Sequence, residues 1–113
     1  MSWKTVCRAS DIAPNELKQF DIDGIEIVVA NVEGLFVAIP PLCPHMEDPL
    51  EASGICDKGV LTCTKHLWQW DLRTGEAMGL AERPLRMYQV RTENGEVHVL
   101  MDKELVYDYD DDW

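Results

Sequence analysis

The sequence predicts an all-β chain: an antiparallel β-sandwich scaffold built from both ends, with a small loop-rich part between. Three observations carry that reading. Short runs rich in β-branched and aromatic residues alternate with turn residues from Trp3 to Met101. Asp23-Gly24 and Asn94-Gly95, strong two-residue hairpin signals, stand near the two ends of the chain. No stretch carries the 3.6-residue apolar period of a long helix.

In order along the chain, WKTVC (3–7) reads as a first strand. SDIAPNEL (10–17) reads as a loop or single helical turn, with Ser10 as a possible N-cap. KQFDI (18–22) and IEIVVA (25–30) form a hairpin about Asp23-Gly24, and LFVAI (35–39) pairs back after Glu33-Gly34. Residues 40–58 hold Pro40, Pro41, Pro44 and Pro49, too irregular for one long element. VLTC (60–63) and LWQWDL (67–72) read as strands, followed by a turn at Arg73-Thr74-Gly75. GLAERPL (79–85) is loop-like, and RMYQVR (86–91) with EVHVLM (96–101) makes a last hairpin. One domain is expected from 113 residues. Its base spans 1–40 and 85–107, its site-bearing part 41–84, and an acidic tail 108–113.

The composition bounds the function. Apolar residues make up 46%, enough for a folded core. A domain this small gains stability from a bound metal centre. No apolar run reaches the roughly 18 residues of a membrane span. MSWKTVCRAS lacks the apolar core of a secretory signal, so the expectation is a cytoplasmic monomer with reduced thiols. The net charge of −11 repels nucleic acid and anionic membranes and suits steering towards a basic patch on another protein. The tail DYDDDW reads as a solvated end, with a docking role as the alternative.

The chemistry lies in the middle. Cys43-Pro44-His45 and Cys63-Thr64-Lys65-His66 are separated by 17 residues. In an extended loop, residues i and i+2 point the same way, so Cys43 and His45 can reach one centre. Pro44 fixes φ between them and lowers the entropy of the empty loop. In a tight turn, residues i and i+3 converge, which serves Cys63 and His66. Two thiolates and two imidazoles suit a tetrahedral zinc or a [2Fe–2S] cluster with mixed ligands. Residue count does not separate the two. Common zinc fingers place both histidines together on a helix, whereas here each loop supplies one of each.

This spacing resembles the Rieske [2Fe–2S] signature. The likeness extends through Trp68, Trp70 and Asp71 to the proline-containing LAERPL (80–85), and so over nearly the whole chain. It implies that Cys43 and Cys63 bind one iron while His45 and His66 bind the other. Pro44, Met46, Lys65, Leu67, Trp68 and Pro84 would surround the cluster, one per chain. His66-Leu67-Trp68, where His-Gly-Trp is commoner, is most similar to the ferredoxins of toluene/o-xylene monooxygenase systems. The resemblance then implies an electron carrier and no enzyme. It would take one electron from an NADH-dependent flavoprotein reductase and deliver it to a di-iron hydroxylase. The ferredoxin of a ring-hydroxylating dioxygenase and the small subunit of a nitrite reductase are alternatives. A zinc-stabilised binding module is the alternative of another class. The chain has no Glu-x-x-His and no glycine-rich nucleotide loop.

Charge explains the use of such a cluster. Two Fe³⁺, two sulfides and two thiolates sum to zero, whereas a Cys₄ cluster sums to −2. A neutral centre accepts an electron more readily, so potentials run from about −150 to +300 mV, against about −400 mV for plant-type ferredoxins. High-potential relatives carry an additional disulfide between the ligand loops. Met46, Glu47, Asp48 and Lys65 offer no cysteine for one, and hydroxyl donors are few. The lower part of the range is therefore expected. Cys7 reads as a small core residue alternating in its strand, and Cys56 as a thiol without a ligand role. His98 reads as a strand residue. One of Trp68 and Trp70 is expected to fill the core. Asp23, Asn31 and Gly34 read as turn residues.

Overall fold

The computed structural model describes residues 3–44, 49–65, 67–79, 81, 83–101, 104, 105 and 107. Their strands are β1 (Trp3–Arg8), β2 (Leu17–Ile22), β3 (Ile25–Val32), β4 (Leu35–Ile39), β5 (Gly54–Asp57), β6 (Val60–Cys63), β7 (Trp68–Asp71), β8 (Ala77–Met78), β9 (Val90–Glu93) and β10 (Glu96–Leu100). One helical turn, α1 (Leu50–Ser53), leads into β5. The strands make three antiparallel sheets, ordered β1-β10-β9, β2-β3-β4 and β5-β6-β7-β8. The architecture is the expected all-β one.

The sheet β2-β3-β4 is the middle layer, and the sequence of β3 explains why. Alternate side chains of a strand face opposite ways. Val28, Ala30 and Val32 join Val37 and Ile39 of β4 in a core shared with Leu61, Trp70 and Leu72. Ile27 and Val29 join Phe36 and Ala38 in a second core with Val97 and Val99. A strand buried on both faces has to be apolar at nearly every position, and Ile25–Val32 is.

Tight turns set the registers. Asp23-Gly24, Glu33-Gly34, Lys58-Gly59 and Asn94-Gly95 all have positive φ at both residues. This is the two-residue turn whose twist matches the flanking strands. It fixes the pairs Ile22↔Ile25, Val32↔Leu35, Asp57↔Val60 and Glu93↔Glu96.

Several local expectations give way. Ser10 lies inside a 3-10 turn, Ala9–Asp11, and is not its N-cap. The Asp11 carboxylate accepts the Arg8 N–H at 2.9 Å, which closes that turn instead. A bulge between Thr5 and Cys7 breaks the alternation of β1, so Val6 and Cys7 are both half-buried. The strand expected from Arg86 begins at Val90, because the Tyr88 N–H donates to the Ala38 carbonyl at 2.9 Å and bridges to β4. β5 and α1 are short elements within the segment 40–58 read as irregular, and β8 falls between the turn read at 73–75 and the loop read at 79–85. The 108–113 tail lies outside the described residues. Among the described residues, no helix is long and apolar enough to cross a membrane.

Asn31 is a strand residue with a tethering role. It is buried, its Nδ2 donates to the Ile12 carbonyl at 2.8 Å, and its Oδ1 accepts from the Gly34 N–H at 2.7 Å. Its main chain also pairs with Asn15 and Glu16, which pins the 12–16 loop to β3. Asn31→Ala leaves a buried carbonyl without its donor and is expected to cost about 1–3 kcal/mol. Chemical denaturation is the check, with an unchanged midpoint as the contrary result.

Candidate metal centre

The first loop is closed by an isolated antiparallel bridge, Leu42↔Pro49, and by the Leu50 N–H donating to the Pro41 carbonyl at 2.8 Å. Cys43 and Pro44 are buried inside it. The second loop joins β6 to β7 beyond the pair Cys63↔Trp68, and the Leu67 N–H closes it on the Cys63 carbonyl at 2.7 Å. His45, Met46 and His66 lie outside the described residues. Lys65 is exposed and so is Pro84.

One carbonyl joins the two loops. Ser53, at the end of α1, accepts from the Thr64 N–H at 2.8 Å and from Thr64 Oγ1 at 2.7 Å. The next residue, Gly54, pairs with Cys63. A Cβ at Gly54 would stand 2.5 Å from the Leu50 carbonyl, so only glycine fits there without moving the ladder. The Thr64 hydroxyl thereby serves the backbone.

Cys43 and Cys63 each have 0% exposure and belong to one packed core. No disulfide involves any of the four cysteines. Cys56 shares that core, but it lies mid-ladder in β5 opposite Leu61. Burial pushes its thiol pKa up, and Asp57 pushes the same way. Burial and then Asp11 likewise raise Cys7, far off on β1. His98 sits in β10, with Nδ1 2.9 Å from Thr5 Oγ1.

Both tryptophans fill the core, where one was expected. Trp68 and Trp70 meet edge to face at 6.2 Å. Trp70 Nε1 donates to the Arg83 carbonyl at 2.8 Å and fastens the chain beside Pro84 to β7. Leu67 is 62% exposed with φ of 60°. Left-handed φ in a bulky residue stores of order 1 kcal/mol or more. The other non-glycine residues of positive φ are Asn15 or directly precede a glycine.

Tyr107 is the residue that sequence reasoning missed. Its hydroxyl accepts from the Arg86 N–H at 2.9 Å, while the Tyr88 hydroxyl accepts from the Leu105 N–H at 2.8 Å. The two tyrosines clasp segments 86–88 and 105–107 together. Burial pushes the Tyr107 pKa up to about 12; hydrogen bonding from Arg86 opposes this, and the charge of Cys43 adds a smaller push. The hydroxyl therefore lies within electrostatic reach of Cys43. The only signal was an aromatic pair, Tyr107 and Tyr109, at the start of an acidic run.

Two dry thiols at the openings of joined loops fit an iron–sulfur centre by donor chemistry, since thiolate sites select zinc, copper(I) or iron–sulfur clusters. The class so defined is a small antiparallel β protein with two buried thiols, at joined loops, that could hold a metal centre. The chain belongs to the Rieske [2Fe–2S] domain family, whose sequence profile matches residues 2–92. It is 48% identical over 112 residues to the methanesulfonate monooxygenase ferredoxin subunit of Methylosulfonomonas methylovora, covering 99% of this chain and 91% of that one. It superposes with TM-score 0.80 and 29% identity on a chain from the complex of reduced oxygenase and oxidised ferredoxin in carbazole 1,9a-dioxygenase, covering 92% and 97%. The ferredoxin of carbazole 1,9a-dioxygenase from Nocardioides aromaticivorans gives 0.78 and 28%, covering 88% and 97%. The protein is thus an electron-transfer ferredoxin, not a catalytic subunit, with one [2Fe–2S] cluster. The zinc alternative falls with that assignment.

Tyr107→Phe removes the acceptor of the Arg86 N–H. It is expected to cost about 1 kcal/mol. Thermal unfolding of the cluster-loaded protein checks this, and an unchanged midpoint would rule the clasp unimportant.

Proposed function

We propose that this ferredoxin carries single electrons from an NADH-dependent flavoprotein reductase to the terminal oxygenase of a monooxygenase system, as a cytoplasmic monomer. The observation that carries the reading is 48% identity along nearly the full chain to a ferredoxin subunit of methanesulfonate monooxygenase. Cys43 and Cys63 would hold one iron, and His45 and His66 the other. The bound [2Fe–2S] centre supplies reversible uptake of one electron. The chain keeps its thiols dry, fixes the spacing of the loops through Ser53, and packs Trp68 and Trp70 beneath them. Pro44, Met46, Lys65, Leu67 and Pro84 would complete the surroundings. Residues 41–84 would form the cluster-binding part, with 1–40 and 85–107 as base and 108–113 as a solvated tail.

The same relative favours a monooxygenase acting on a small sulfonate. A second reading, the di-iron hydroxylase of a toluene/o-xylene system, rests on the triplet His66-Leu67-Trp68. Likeness to the carbazole dioxygenase ferredoxin favours a third, a ring-hydroxylating dioxygenase.

Alanine at any of Cys43, His45, Cys63 or His66 is expected to abolish bound iron and acid-labile sulfide. Cys7→Ser is expected to leave both, along with the visible spectrum, intact. Bleaching by Cys7→Ser would refute the ligand assignment. Turnover by the methanesulfonate monooxygenase hydroxylase, supplied with NADH and a flavoprotein reductase, is expected to depend on this protein. Toluene and carbazole oxygenases are the comparison, and faster support of either would overturn the choice of partner. The rate is expected to fall as salt rises, and a flat response up to about 0.5 M would exclude charge steering.

A further inference from the structure

We infer that Leu67 is the apolar anchor by which this ferredoxin docks on the oxygenase that takes its electron. The inference rests on the function proposed above and names the contact that function requires.

Three observations converge on Leu67. Its side chain is 62% exposed, the most exposed large apolar side chain among the described residues. Its φ of 60° is a conformation that bulky residues rarely adopt. Glycine or asparagine would fit that backbone better. The fold therefore holds leucine here against both solvation and backbone preference, in the residue directly after His66. Strain of this kind persists where a site uses it.

The second observation concerns the surrounding sheet. Ile55 and Met78 are exposed at the two ends of one cross-strand row, Ile55–Thr62–Gln69–Met78, on the face away from the core. That row is one pair removed from Cys63↔Trp68. So three of the four exposed large apolar side chains among the described residues belong to the cluster-bearing sheet and its loop.

The third is charge. The chain carries −11, yet Lys65 is the sole Asp, Glu, Lys or Arg between Val60 and Trp70. The hairpin that carries Cys63 is an apolar, faintly basic stretch on an acidic protein, while Glu47 and Asp48 follow His45 in the other Cys/His loop. A second copy of the chain is disfavoured as occupant, because two such acidic bodies repel. A partner with an apolar recess rimmed by basic groups is complementary to both features. Transient redox contacts are small, so a single central side chain carries much of their specificity.

The test uses the cluster-loaded full chain and the hydroxylase of methanesulfonate monooxygenase. Leu67→Gly and Leu67→Asn suit the left-handed backbone and remove the apolar contact. Both are expected to keep the cluster spectrum and potential, to hold or raise the unfolding midpoint, and to raise the KM for ferredoxin about fivefold or more at unchanged kcat. The increase is expected to persist at about 0.5 M salt, where charge steering is screened. Leu67→Met is expected to restore the KM, and Leu35→Ser, at an exposed leucine of the middle sheet, to leave it alone. A smaller rise, a loss of kcat instead, or an altered spectrum would overturn the docking role. Wild-type protein that passes no electron to the hydroxylase sinks the proposed function, and the docking role with it. Equal KM for wild type and Leu67→Gly sinks the docking role alone.

Discussion

The carbonyl of Ser53 is the constraint on which the cluster end depends. Two loops separated by 17 residues can serve one centre at a lower entropic cost if their spacing is fixed before the centre binds. Ser53 takes both the N–H and the hydroxyl of Thr64, the residue after Cys63. Four residues upstream, Pro49 bridges to Leu42, the residue before Cys43. The five residues 49–53 thus connect the two loops beside their cysteines. Gly54 completes the device, since a side chain there would strike the Leu50 carbonyl and displace the strand that pairs with Cys63.

That device needs a rigid floor, which two-sided burial of β3 and β4 provides. One face of this sheet packs on the core holding Cys43 and Cys63, and the other on the core of β9 and β10. Loosening either core would disturb the sheet that floors the other. Tyr88 and Tyr107 extend the coupling. Tyr88 bridges β4 by its main chain and holds residue 105 by its hydroxyl, and Tyr107 returns to Arg86 within reach of Cys43.

What could be read beforehand follows from which signals are local. Asp23-Gly24 and Asn94-Gly95 dictate turns by their own φ preferences, so those hairpins were legible. The two Cys/His pairs stood out because metal chemistry constrains residue type and spacing together, and the structure buries their cysteines in one core. Ser10 looked like a helix cap, but the turn starts earlier, with Arg8 at the N-cap and the Asp11 carboxylate accepting its N–H. Asn31 looked like a turn residue because its neighbours are, yet its side chain works across 19 positions on Ile12. β5 and β8 are two to four residues long and exist only as partners of β6 and β7, so no local pattern announces them. Tyr107 is invisible for the same reason: its role depends on a return of the chain that only tertiary packing fixes.

Charge and contact are divided between different parts of this molecule. The acidic residues lie mostly away from the hairpin that carries Cys63, and the exposed leucine lies within it. Long-range attraction needs only net charge of the right sign, and it decays within about 10 Å at moderate salt. Close contact at a centre that must change redox state has a different requirement. Fixed charges beside the exchange point would bias the potential and would have to be stripped of water in each encounter. An apolar contact lessens both effects on its own side of the centre. Charge that acts at range, together with a dry contact that acts close up, lets a small carrier meet a redox partner without holding it.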